Sequence, residues 1–170
     1  MYLNCGPYLV RDWRKDDHAP LVKVANSRKL WRNMSHRFPH PYTAEDATWW
    51  LTSLIGKESP THWAVEVDSC LAGAIGFDPG EGIYDKTGHF GYWLGEPWWN
   101  RGIMTAVVPL VVEDIFSRYG LVRLEARVLR WNPASMRVLE KCGFEKEAVL
   151  RKSAHKDGQL VDEVLYALVR

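Results

Sequence analysis

Apolar and polar positions change rhythm several times along this chain, and each change predicts an element. Residues 8–13 alternate as a short strand. Asp16 or Asp17 is placed to cap a helix running to about Ser27, and residues 28–34 form a second helical stretch. Pro39 and Pro41 break the chain. Thr43, followed by Glu45 and Asp46, caps a helix to Ile55 that Gly56 ends. The period then shortens to two. His62–Val67 and residues 70–77 read as strands around an Asp68-Ser69 turn, and residues 78–88 form a loop before a third strand at 89–94. Ile103–Tyr119 carries Val107, Val108, Leu110, Val111, Ile115 and Phe116, so little polar face is left; a deeply packed helix is expected, bent at Pro109. Residues 121–129 alternate again, with Leu124, Ala126 and Val128 on one side and Arg123, Glu125 and Arg127 on the other. Pro133 opens a short helix ending before Gly143. Residues 144–152 and 160–169 are the last strands, joined through a turn at 155–158. This order predicts an α/β protein of α+β type, with a mixed, mostly antiparallel central sheet of about six to seven strands flanked by helices. No linker or repeat divides it, so residues 1–170 are expected to form one domain.

Composition narrows the function classes. Twenty-two Lys and Arg balance 21 Asp and Glu, which argues against direct nucleic-acid binding. Nine tryptophans and low net charge exclude disorder. No apolar run approaches the roughly 20 residues that cross a bilayer, so no membrane segment is expected. The first residues lack a basic region followed by an apolar core, which predicts no signal peptide and a cytoplasmic setting. Cys5, Cys70 and Cys142 are odd in number and widely spaced, so reduced, mostly buried thiols are expected and no metal site.

Two stretches are candidates for chemistry. Residues 91–105 read as a strand end, a turn with Asn100-Arg101-Gly102, and the start of the long helix. Unpaired N–H groups and the positive end of the helix dipole suit phosphate oxygens there. The known phosphate-loop and dinucleotide glycine patterns are absent. Asn132-Pro133-Ala134-Ser135 is both a good helix start and a polar patch at a strand end.

In this order, Gly91-Tyr92-Trp93-Leu94-Gly95, Trp99 to Thr105, Asn132 to Ser135 and Glu140 to Phe144 resemble the signatures of the GNAT superfamily of acyl-CoA-dependent N-acyltransferases, nearest its RimJ/RimL-like branch. Phe38 to Thr43 and Asp157-Gly158 also look like this branch. The resemblance implies an acetyl-CoA-dependent N-acetyltransferase acting by direct attack of a primary amine on the thioester. The acceptor it implies is a small-molecule amine or a protein N-terminus. The alternative is a non-catalytic acyl-CoA-binding or regulatory module on the same fold. Dimers are common among relatives, which makes a homodimer an expectation of the resemblance alone.

Site residues follow position by position from that resemblance. Asn100, Arg101, Gly102, Ile103, Met104 and Thr105 would hold the pyrophosphate of acetyl-CoA. Trp93 and Leu94 would bond the pantetheine arm like a neighbouring strand, and Asn132 would bind it from the other side. Ser135 would stabilise the departing thiolate. Asn100 and Met104 stand where relatives carry smaller residues. Ser153-Ala154-His155 stands where RimL-like members place a Glu base, which leaves His155, His89, Glu81 or a water chain for that role. Trp31, Phe38, His40 and Tyr42 would wall the acceptor pocket, with Glu81, beside Asp78 and Asp85, attracting a cationic amine.

Overall fold

The computed structural model describes all 170 residues. Eight strands form one sheet: β1 (Tyr2–Cys5), β2 (Tyr8–Arg11), β3 (His62–Val67), β4 (Cys70–Pro79), β5 (Thr87–Leu94), β6 (Arg123–Leu129), β7 (Glu145–Lys156) and β8 (Gln159–Val169). Their spatial order is β1-β2-β3-β4-β5-β6-β8-β7. Every neighbouring pair is antiparallel except β5 with β6. The sheet therefore exceeds the expected six to seven strands by β1. This four-residue edge strand folds back on β2 through a turn in which Gly6 takes φ +71°.

The helices are α1 (His18–Ala25), α2 (Arg28–Trp31), α3 (Ala44–Leu54), α4 (Ile103–Tyr119) and α5 (Pro133–Lys141). One core lies between the sheet and α4–α5, where Ile103, Val107, Ile115, Leu124 and Leu139 are sealed from solvent. A second lies between the sheet and α1–α3, built on Leu21, Ala25, Leu51 and Ala64. None of these helices is long and apolar enough to cross a membrane.

The predicted caps form where sequence placed them, with one exchange. Thr43 caps α3 and Asp46 returns a bond to the Thr43 N–H, closing a capping box. Asp17 sits at the N-cap of α1 but does not cap it; its carboxylate instead grips the guanidinium of Arg11 at 2.7 and 2.8 Å. Both side chains are buried, and a buried cation must be paired.

Three sequence expectations shift. The loop after β4 shortens to residues 80–86, because β4 and β5 stay paired as far as Pro79 and Gly88. Strand β7 runs on to Lys156, leaving only Asp157-Gly158 in the turn, both with positive φ. Cys70 is exposed at the start of β4 rather than buried. In α4, Pro109 and Leu110 face solvent. Pro109 has no N–H for the Thr105 carbonyl; the Cys142 thiol stands in as donor at 3.9 Å, joining α4 to the end of α5.

Candidate active site

The parallel pair β5–β6 is matched only at Thr87–Arg123, Gly88–Leu124 and His89–Glu125. Beyond His89 the two strands have no common register, so the sheet forks. The Gly95 N–H donates to the Ala72 carbonyl of β4 at 2.9 Å. Strand alternation therefore turns the backbone groups of Gly91 and Trp93 toward β4, and those of Tyr92 and Leu94 toward the open side of the fork. Of the expected Trp93–Leu94 pair, only Leu94 lies on the open edge, next to Tyr92. The Trp93 indole fills the second core against Phe38.

One prong of the fork leads into α4. Asn100 and Gly102 both take left-handed backbone, φ 59° and 72°, which Asn tolerates and Gly favours. Gly102 is the N-cap and offers no side chain, so the N–H groups of Ile103, Met104 and Thr105 face outward without a protein cap. The Arg101 guanidinium lies over Trp98, 5.2 Å from the ring centroid, and the Arg101 carbonyl accepts from the Tyr8 hydroxyl at 3.4 Å. The Trp99 indole N–H donates to the Leu94 carbonyl at 2.7 Å, tying the turn to the strand end. Met104 is buried in the first core, so its bulk points away from the open N–H groups. This loop fits a pyrophosphate: three free amides, an adjacent guanidinium and no intruding side chain.

The other prong leads into α5. The Asn132 carboxamide oxygen accepts from the Ser135 N–H at 3.3 Å, a helix cap, while its amide nitrogen is left for a ligand. The Ser135 hydroxyl lies 3.0 Å from the Tyr92 hydroxyl, which also donates to the Ser135 carbonyl at 3.1 Å. Tyr92 has one proton for two acceptors. When it serves the Ser135 oxygen, the serine proton is free for a third group in the fork. Burial pushes the Tyr92 phenol well above its ordinary value, so it stays protonated. Tyr92 was not among the sequence candidates; its only signal was its place facing β6 in the Gly-Tyr-Trp-Leu-Gly stretch.

At the base of the fork, the His89 Nδ1 stands 3.8 Å from a carboxylate oxygen of Glu125. The other Glu125 oxygen accepts from Arg123 Nε at 2.8 Å. Glu125, read in sequence only as part of an alternating face, thus faces the imidazole across the base of the fork. His155 projects from β7 on the face opposite Lys156 and is exposed.

The expected acceptor wall divides. Phe38 and Tyr42 pack on one another at 5.3 Å, and Tyr42 is buried in the second core. Trp31 and His40 stack at 5.8 Å at the surface. Glu81 lies in the β4–β5 hairpin, at the opposite end of β5 from Leu94. Asp78 is occupied by Arg37 and lies 3.7 Å from His62. Gly91 sits between His89 and Trp93 on the α1–α3 face of β5, and nothing lies within 4 Å of where its Cβ would be. A Gly91→Leu variant is expected to fold with its melting temperature within a few degrees of the parent, yet to raise the acceptor KM about tenfold or more by filling this space. An unchanged KM would place the acceptor elsewhere.

The acetyltransferase (GNAT) domain family matches residues 8–145. The chain is 42% identical over 84 residues to the probable N-acetyltransferase YjcK of Bacillus subtilis (strain 168), covering 49% of this chain and 46% of that protein. It thus spans about half the length of that relative. It is 36% identical over 122 residues to the uncharacterized N-acetyltransferase YoaA of the same strain, covering 71% of this chain and 68% of the other. Among solved structures, RimL, described as a ribosomal L7/L12 alpha-N-protein acetyltransferase in complex with coenzyme A, superposes with a TM-score of 0.86 at 18% identity, covering 99% of this chain and 98% of that one. A forked sheet with an uncapped, glycine-started helix on one prong, and a domain match over most of its length, make this chain a member of the GNAT acetyltransferase family.

Proposed function

We propose that the protein is an acetyl-CoA-dependent N-acetyltransferase that acetylates a primary amine. The observation that carries this reading is the fork between β5 and β6, with a histidine–carboxylate pair at its base and hydroxyls on its flank. The free N–H groups of residues 103–105 hold the pyrophosphate of acetyl-CoA. The open edge of Tyr92 and Leu94 bonds the pantetheine arm as an added strand. That RimL, which shares this fold, is described in complex with coenzyme A supports the choice of cosubstrate.

The chemistry needs a neutral amine, a polarised thioester and a stabilised thiolate. His89 accepts the proton of the incoming ammonium, with Glu125 facing its Nδ1. The amine nitrogen bonds to the thioester carbon, the carbon–sulfur bond breaks with its electron pair on sulfur, and the surplus proton on nitrogen passes to that thiolate, giving the amide and the free thiol. Ser135, supplied by Tyr92, hydrogen-bonds that sulfur as it becomes thiolate.

Purified protein incubated with acetyl-CoA and panels of N-terminal peptides, polyamines and amino acids is expected to release free thiol only when an amine is present. Tight acetyl-CoA binding with no release on any panel would instead support a non-catalytic acyl-CoA-binding module. Ser135→Ala is expected to lower kcat about 100-fold while barely changing acetyl-CoA affinity. Unchanged kinetics would remove Ser135 from the reaction.

A further inference from the structure

Lys156 is buried, and its ammonium has no carboxylate or hydrogen-bond partner; it rests 3.9 Å from the centroid of the Trp31 ring. The adjacent Asp157 is already engaged by Arg28 at 2.6 Å and Arg32 at 3.3 Å. The Arg32 guanidinium also covers Trp131 at 4.1 Å, and the Trp131 indole N–H is buried without an acceptor. Two of the three cations therefore share one carboxylate and the third, Lys156, pairs with none, while an unused donor lies under Arg32. A cation–π contact offsets only part of what burying a charge costs. Burial lowers the Lys156 pKa, as an incompletely compensated cation requires.

The cluster also has a telling position. Helix α2 is anchored beyond the end of β5, where Ser27 and Lys29 bond Glu96, and beyond the end of β6, where Arg32 covers Trp131. Its Arg28 reaches the β7–β8 turn. The helix thus bridges both prongs of the fork, and Trp131 directly precedes the Asn132–Ser135 segment.

We infer that the acceptor amine belongs to a molecule that also carries an anionic group, a carboxylate or a phosphate, and that Lys156 and the Trp131 indole N–H receive that group, with Arg28 and Arg32 adding positive field. This inference rests on the amine-transfer reading above and adds the substrate class. Acceptors that are cationic throughout, such as polyamines, are repelled from this rim.

Matched acceptors test it: phenylalanine against phenethylamine for a carboxylate, and phosphoethanolamine against ethanolamine for a phosphate. The anionic member of at least one pair is expected to show a kcat/KM at least about tenfold higher, and which pair responds identifies the anion. Lys156→Met is expected to reduce that preference about tenfold, and Lys156→Arg to retain most of it; thermal melts confirm that both variants fold. Equal use of both members of each pair, or a preference untouched in Lys156→Met, would overturn the inference. Calorimetric titration of the same four compounds into protein saturated with coenzyme A reads the preference without turnover. Absent thiol release with retained anion-dependent binding would therefore strike the catalytic reading alone, whereas release without anion preference would strike this inference alone.

Discussion

His89→Gln is expected to lower kcat for amine acetylation by about 10²–10⁴-fold, the usual contribution of a positioned general base, while acetyl-CoA binding stays within about twofold. His89 is the last residue of β5 that pairs with β6, so it stands where the sheet opens. Its Nδ1 faces Glu125 at 3.8 Å, and Glu125 is itself held by Arg123. A carboxylate on that side favours the tautomer with the proton on Nδ1 and leaves Nε2 to accept the amine proton. Glu125→Gln should lower kcat about tenfold without raising the acetyl-CoA KM, and Glu125→Asp should restore part of it. A His89 variant with normal kcat would transfer the base role to another group, such as His155 or water.

Asp17→Ala is expected to destabilise the fold by about 3–5 kcal/mol, the cost of breaking a buried ion pair from one side. Arg11 and Asp17 are 5% and 4% exposed, and the guanidinium is held at its remaining edge by Glu66 at 2.6 Å. Removing Asp17 also strips the acceptor of the Arg14 N–H at 2.8 Å. At about 2–4 °C per kcal/mol for a chain of this size, the melting temperature should fall by roughly 6–20 °C. The double variant Arg11→Met/Asp17→Leu should recover part of this, since an apolar pair leaves no buried charge there. A melting temperature within about 2 °C of the parent in Asp17→Ala would mean that Arg11 finds solvent or Glu66 sufficient. None of the pair's hydrogen-bond partners belongs to the fork, so kcat per folded molecule is expected to hold.

Much of the local structure was legible because it depends on residues close in the chain. The Thr43 cap, the Asp68-Ser69 turn and the Pro133 helix start are decided within three or four positions, and each forms. The alternation of Leu124, Ala126 and Val128 likewise showed which face of β6 is buried. The loop before α4 was legible for the same reason: Asn100 and Gly102 are residues that accept left-handed backbone, and both adopt it. Trp93 turns its backbone to β4 and Leu94 to the open side because that choice depends on register with β4, which periodicity alone leaves free. Phe38 and Tyr42 looked like pocket walls because aromatic residues in a loop serve either role; the α1–α3 layer takes them as core.

Element types, the glycine-started helix and the motifs that mark the family are short-range consequences of backbone preference and side-chain period, readable along the chain. The site is assembled by tertiary packing. The His89–Glu125 pair joins strands 36 residues apart, the Tyr92–Ser135 bond joins residues 43 apart, and Lys156 meets Trp31 across most of the chain. Such partners are chosen by the packing of both helix layers on one sheet, and by the point at which β5 and β6 stop pairing. That point is set by long-range burial, which local pattern does not encode.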